Sequence, residues 1–461
     1  MSDPHGILAL QAADPSLNGA GVKVGQVESS LGSGDLFEVN PASLGLASPP
    51  HIVYIPNSNV PSVTFNSANF SSHAQSVAAN FYGSAGAATG VSAVYNYDSN
   101  AYAEIVFSST KPTYAMDVVN QSFIYGMLTY GTMEGVDMYY DAFAYTNNVL
   151  FCSAVGNGGS EVTYTTPVTQ INSPSTCFNG LAVSDFGGSS GVGPAISLSG
   201  TVTRSKPDIC ADAGETSFST PIVAGCAAVM IQYLKQLLTT VPIILTKAVL
   251  LAGTTKPAGW TNTPTAPLDT RWGAGVVNAY NSYLLVKNRQ FVLDTVSTSV
   301  QNKSYKISLT STSNISIALV WNRTVTGGNI NNLHLSLLSS TGSQIAISNS
   351  TVDNVQYINA MNVPAGDYTL SVGFVSVATS SESFAIAYSI SPVPSVISVP
   401  SLSAAISLPS TANGSLFVWS TNSNNVLTFS CGSSYPTSGA VNLYNINVIN
   451  GVLQSSTLIK G

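Results

Sequence analysis

The sequence predicts an α/β domain, a largely parallel sheet with helices on both faces, followed by an all-β sandwich and a small β-rich C-terminal segment. Three observations carry that expectation. Strand-like and helix-like segments alternate through about the first 285 residues, the pattern of a parallel sheet covered on both sides. After Asn288 helical periodicity stops and alternating strands take over, among them Leu333, Leu335 and Leu337, then Tyr368, Leu370, Val372 and Phe374 behind the turn Pro364-Ala365-Gly366-Asp367. Ser391-Pro392-Val393-Pro394-Ser395 reads as a linker. The expected domains are 1–290, 291–392 and 393–461, in a chain of 461 residues that exceeds what one core supports.

In chain order, Val22 to Val27 follows the turn-forming Asn18-Gly19-Ala20-Gly21, reads as a short buried strand and ends at Glu28-Ser29-Ser30. An acid at the end of a buried strand is costly unless it has a task. Ser71-Ser72-His73 opens a helix-like stretch of small residues. The strand Val149 to Ala154 then delivers Val155-Gly156-Asn157-Gly158-Gly159. Finally Glu215-Thr216-Ser217-Phe218-Ser219-Thr220-Pro221 runs into the apolar stretch Ile222 to Leu238, with Ser217 expected in the loop before a buried helix and Pro221 in its first turn. A serine before an apolar run is most often just a cap, so its partners decide its meaning. Those partners arrive in the order acid, histidine, amide, serine.

With these residues in place the first 6–285 or so resemble the subtilisin-like serine proteases, the subtilases. Their Val-Ile-Asp-Ser-Gly matches Gln26-Val27-Glu28-Ser29-Ser30, and their His-Gly-Thr-His-Val-Ala-Gly matches His73-Ala74-Gln75-Ser76-Val77-Ala78-Ala79. Ala-Gly-Asn matches Val155-Gly156-Asn157, and Gly-Thr-Ser-Met-Ala-Thr-Pro matches Glu215 to Pro221. Lys206-Pro207-Asp208-Ile209 and Trp272-Gly273-Ala274-Gly275 add support. The resemblance implies a serine endopeptidase with Glu28, His73, Asn157 and Ser217 as its working residues. A serine hydroxyl needs a base within about 3 Å as it attacks a carbonyl, and a histidine that turns cationic needs a carboxylate to orient it. Asn157 and the backbone N–H of Ser217 would donate to the developing oxyanion.

The departures are informative too. Glu28 stands where the family has aspartate, and a displacement of about 1 Å can cost roughly 100-fold in rate unless the backbone adjusts. The competing readings are a structural charge for Glu28 and a turn role for Asn157. Glu215 replaces a glycine, and Ala74, Gln75 and Ser76 replace Gly-Thr-His. The Ser-Glu-Asp acid peptidases share the serine motif but take acids from the helix after position 73, and residues 73–80 contain none.

By the same resemblance an extended peptide substrate would lie between Ser122-Phe123-Ile124 and Ser153-Ala154-Val155, with Asn172 near the base of the primary pocket. Cys152 and Cys177 are implied neighbours that would pair as a disulfide, whereas Cys210 and Cys226 read as small buried residues. No cofactor is required. Structural calcium is common in the family, but the sequence does not locate a site. The segment 291–392 resembles the jelly-roll modules appended to secreted peptidases.

Only 8% of residues are charged and the net charge is −7 without a basic run, which argues against nucleic acid and anionic membranes. No apolar run of spanning length is expected, and Met1-Ser2-Asp3-Pro4 is not a signal peptide. Family members carry a signal and a prodomain, so the chain reads as a mature fragment with a new methionine. An extracellular location is expected from composition and the sandwich. The alternative function is a catalytically silent subtilase domain that contacts a cell surface or matrix through its β-domains.

Overall fold

The computed structural model describes residues 3–29, 36–108, 114–125, 130–157, 171–187, 204–324 and 329–393, and the backbone of four strands between 414 and 460. Ser30, Gly158 and Gly159 of the motifs, and Pro394 and Ser395 of the linker, lie outside the described residues. The chain divides into two units, Met1–Val393 and Pro394–Gly461.

The first unit begins α1 (Ile7–Ala13), β1 (Lys23–Glu28), β2 (His51–Ile55), α2 (Ser72–Phe81), β3 (Ala93–Asp98), α3 (Ser99–Phe107), β4 (Val118–Gln121) and α4 (Tyr130–Asn147). It continues β5 (Leu150–Ala154), β6 (Leu181–Asp185), β7 (Ile209–Ala211), α5 (Thr216–Lys235), α6 (Ile243–Ala252) and α7 (Ala279–Lys287). The seven strands pair in parallel in the order β2-β3-β1-β4-β5-β6-β7. Strands β4 to β7 are buried along their whole length, as strands covered on both faces must be, and Asn120, Gln121, Ser153, Ser184 and Asp185 are buried with their apolar residues. From β1 the chain moves to β2 and β3 on one side, then crosses to β4 on the other. The sheet therefore reverses its winding between β1 and β4, and the crevice at the carboxyl ends of such strands is where open α/β sheets bind ligands. Glu28 ends β1 and Ser122 follows β4.

Helix α5 packs against β4, β5, β6, β7 and α2. By length and composition it could cross a membrane, contrary to the expectation that no segment reaches that measure; 78% of its apolar window is buried inside the protein, so packing accounts for its character.

The sandwich follows as β8 (Phe291–Ser297), β9 (Asn302–Leu309), β10 (Ser313–Trp321), β11 (Asn332–Ser339), β12 (Gln344–Ser348), β13 (Val355–Val363), β14 (Gly366–Val375) and β15 (Ser381–Pro392). Its antiparallel sheets run β13-β10-β15-β8 and β12-β11-β14-β9. Ile317, Leu319 and Trp321 of β10 fill the space between the sheets, while the alternating Ala318 and Val320 face the other way into the α/β core. Tyr357, Ala385 and Ala387 do the same. Helix α6 packs on β10 and β15, and all ten of its residues are buried. One sheet of the sandwich is thus apolar on both faces. The second unit is an antiparallel sheet in the order β17-β16-β18-β19, with β16 (Gly414–Ser423), β17 (Val426–Gly432), β18 (Asn442–Ile449) and β19 (Val452–Lys460).

Candidate active site

Glu28 is buried at the end of β1, and its Oε2 lies 2.9 Å from His73 Nδ1. His73 is the second residue of α2, whose start is capped by Ser71 Oγ accepting from the Ala74 N–H at 3.1 Å. The imidazole keeps 25% of its side chain exposed, enough for a substrate to reach, against 1% for the carboxylate. Burial acts to lower the His73 pKa. The hydrogen bond and charge of Glu28, with Glu215 adding at longer range, outweigh it and leave the pKa above its ordinary value. The second carboxylate oxygen is also held: Gln26 Nε2 donates to Glu28 Oε1 at 2.7 Å, and Tyr82 Oη donates to Gln26 Oε1 at 2.6 Å. Sequence reasoning missed both residues. The available signal was a glutamine in an otherwise apolar buried strand, two positions before the acid and therefore on its face.

Ser217 lies in the first turn of α5, one residue further into the helix than the expected loop, and Pro221 sits inside the helix rather than in its first turn. The proline has no N–H to offer the carbonyl four residues back. That carbonyl belongs to Ser217, and Ser122 Oγ supplies the missing donor at 2.8 Å. The helix is not closed by a serine cap, since its N-cap is Glu215 and makes no side-chain capping bond. Instead Asp185 Oδ1 accepts from the Ala213 and Gly214 N–H groups and from Ser219 Oγ, at 2.9, 2.8 and 2.7 Å, and fixes the turn that leads into the helix.

Asn157 Oδ1 accepts from both the backbone N–H and the hydroxyl of Thr216, at 3.0 and 2.9 Å. A backbone N–H can only donate, so the amide oxygen must face Thr216 and the Asn157 NH2 is turned to the other side. Ser217 Oγ makes a long bond of 3.4 Å to the Ser122 carbonyl; no His73–Ser217 hydrogen bond forms among the described residues. The ring of Phe218, next to the serine, has its centroid 5.7 Å from the His73 ring, so the start of α5 lies beside α2. Hydrogen bonds of this kind are often loose before substrate binds.

Of the expected substrate segments, Ser122, Phe123 and Ile124 leave the end of β4, and Tyr125 N–H donates to the Ser173 carbonyl at 2.9 Å, which ties them to the turn containing Asn172. Asn172 itself is fully buried and its carbonyl accepts from the N–H and the hydroxyl of Ser175. Ser153 and Ala154 are buried in β5, where Ser153 Oγ donates to Gln121 Oε1 at 3.0 Å. The N–H of Val155 is taken by the Val183 carbonyl at 3.2 Å, so it has no free donor for a peptide. The expected Cys152–Cys177 disulfide is corrected: both thiols are free and buried. Successive residues of a strand face opposite sides. Cys177 Sγ lies beside Gly180, against the Phe151 side of β5, whereas Cys152 has Cys226 of α5 in its surroundings. Burial pushes the Cys226 thiol up to about 12, so it is an inert packing residue. Among the described residues no group of three or more His, Cys, Asp or Glu side chains is placed to hold a metal.

Because Glu215 helps to hold the imidazolium, Glu215→Gln is expected to move the titration of His73 to lower pH. NMR titration of the two proteins checks this; an unmoved or raised midpoint contradicts it.

No family model and no curated protein matches this chain. Among solved structures, it is similar to the patellamide maturation protease PatA, 18% identical over 58% of this chain and 98% of that one, with a TM-score of 0.39. It is also similar to the prenylagaramide maturation protease PagA, 18% identical over 60% and 96% with a TM-score of 0.39. MycP1 with its N-terminal propeptide removed is 17% identical over 61% and 96%, with a TM-score of 0.37. Likenesses this distant carry no argument, and the sheet order by itself gives a parallel α/β domain followed by a β-sandwich.

Proposed function

We propose that this chain is a serine endopeptidase that cleaves peptide bonds through Ser217, His73 and Glu28, with Asn157 at the oxyanion hole. The observation that carries the reading is the His73–Glu28 bond of 2.9 Å beside the start of the helix that bears Ser217. With Nδ1 engaged by the carboxylate, Nε2 is the ring nitrogen left to accept a proton. A rotation of the Ser217 side chain away from the Ser122 carbonyl would deliver its hydroxyl to that nitrogen. Oγ then bonds to the substrate carbonyl carbon while its proton passes to His73, and the C–N bond breaks as the proton moves on to the leaving amine. Water repeats the sequence on the acyl-enzyme. The Asn157 NH2 and the Ser217 N–H are the oxyanion donors.

Asn157→Ala is expected to lower kcat by about 100 to 1,000-fold with KM little changed, the loss typical of one oxyanion donor. Steady-state kinetics on a cleaved peptide measure it; an unchanged kcat removes Asn157 from this role. The reading as a whole is tested by incubating the purified chain with a peptide library and mapping new termini by mass spectrometry. Cleavage that vanishes in Ser217→Ala supports it. A chain that cuts nothing between pH 5 and about 9, a span bracketing the histidine range, would instead be the silent surface-binding protein. The sparse charge and the sandwich support action outside the cell, and recovery solely from the cytosolic fraction of its native host would refute that location.

A further inference from the structure

We propose that Gln26, locked in place by Tyr82, is the positioning residue that lets a glutamate serve at the acid position. The inference rests on the triad reading above and deepens it. Gln26 and Tyr82 are both fully buried. The Gln26 amide has two N–H donors and both are engaged, one by Glu28 Oε1 at 2.7 Å and the other by the Ala74 carbonyl at 2.8 Å. Its oxygen accepts the Tyr82 hydroxyl at 2.6 Å.

That arrangement has one sense only. The Ala74 carbonyl can only accept and needs the NH2 end, while the hydroxyl proton of Tyr82 goes to the oxygen end, so the amide cannot turn its donors away from Glu28. Ala74 follows His73 in the first turn of α2, so a single amide links the strand that bears the carboxylate to the helix that bears the imidazole. A glutamate has one more rotatable bond than an aspartate, and fixing that bond costs conformational entropy. The Gln26 donor supplies the restraint, and it favours the ionised carboxylate because an anion accepts a stronger hydrogen bond. A glutamine buried in a strand between Val24 and Val27 would otherwise be unfavourable.

The test is Gln26→Met, which keeps nearly the same volume and removes both donors. Its kcat is expected to fall by about 10 to 100-fold, up to the loss that accompanies a 1 Å misplacement, with KM within about twofold. The acid limb is expected to move to lower pH as His73 loses a well-oriented partner. The charged groups facing His73 are Glu28 from β1 and Glu215 from the turn before α5, and Glu215 is untouched by the change. Tyr82→Phe should shift both readings in the same direction by less.

A second reading does not depend on catalysis. In Ser217→Ala protein, NMR titration of His73, resolved from His5, His51 and His334, should show its pKa falling when Gln26→Met is added. If the unaltered chain cleaves no peptide, the endopeptidase reading fails while this titration still decides the positioning role. An unchanged kcat, or an unchanged His73 titration, overturns the proposal. If Gln26→Met does not fold, Tyr82→Phe, which deletes only a hydroxyl, is judged by the same two readings.

Discussion

Ser217→Ala is expected to reduce peptide hydrolysis by about a million-fold, and His73→Ala by a similar amount, while the double variant loses no more than either alone. The reason lies in the geometry. In the proposed mechanism the serine oxygen becomes a useful nucleophile only as its proton leaves, and His73 is useful only while that proton is available. Two parts of one proton transfer cannot fail independently. Residual activity should come from substrate binding and from the Asn157 donor, which both variants retain. Burst or steady-state assays with an activated ester reveal this more sensitively than amides. Single losses that multiply in the double variant would mean that the two residues act separately, and the triad reading would fall.

The second large effect concerns stability and lies away from the cleft. Helix α4 carries three buried acids, Glu134, Asp137 and Asp141, whose charges are met by Arg204 and Arg323. Arg323 comes from the chain just after β10 of the sandwich, and its guanidinium reaches Glu134 and, at 3.2 Å, Asp141. Its backbone is held as well, with its N–H donating to Asn179 Oδ1 and its carbonyl accepting from Asn179 Nδ2. Both guanidinium groups also lie over the Phe178 ring, at 4.2 Å for Arg204 and 5.1 Å for Arg323. Arg323→Met would leave these three buried acids with Arg204 as the arginine that faces them.

Breaking a buried ion pair from one side typically costs about 3–5 kcal/mol, and that is the destabilisation expected in urea unfolding. The effect should depend on pH with a definite sign. Burial raises Asp137 to about 6 against the opposing pull of Arg204, so folding takes up a proton there and the contribution of this group to stability declines as pH rises through about 6. Burial raises Asp141 as well, with Arg323 among the groups that oppose it, so removing Arg323 adds the same tendency there. The deficit should be largest above pH 6 and narrow on acidification. A deficit that is small, or that grows as pH falls, would show that the cluster does not work this way.

The fold was legible in the sequence wherever the local period matched the layer. Alternating short apolar runs and small-residue helices gave the parallel sheet, and Leu333, Leu335 and Leu337 gave a strand with one face in the sandwich core. The period fails where an element is buried on every side. The stretch Ile317 to Trp321 of β10 and the whole of α6 are buried all round because the sandwich and the α/β domain share a core across them, and a one-dimensional pattern cannot reveal a partner on the far side. Arg323 was invisible for the same reason, since its acids lie 182 to 189 residues away.

At the site, the motifs brought Glu28, His73, Asn157 and Ser217 into view as types and in order. What they could not supply was the hydrogen bonding that holds those residues. Ser122 Oγ serving the carbonyl orphaned by Pro221, Asp185 gripping the turn before α5, and Gln26 restraining Glu28 all depend on which side chains meet in space. The disulfide expectation failed because Cys177 lies in the turn before β6, on the Phe151 side of β5, whereas Cys152 has Cys226 of α5 in its surroundings. The helix boundary at Ser217 moved by a residue or two, the usual uncertainty at a helix end.

The central claim is that His73 activates Ser217 in a cleft built by β1, α2 and α5. Labelling with a fluorophosphonate, followed by peptide mapping, tests it most directly. A single adduct on Ser217, absent from the Ser217→Ala and His73→Ala variants and fading on acidification as the imidazole takes up its proton, is the result expected. An unlabelled protein, or an adduct that survives His73→Ala undiminished, contradicts it.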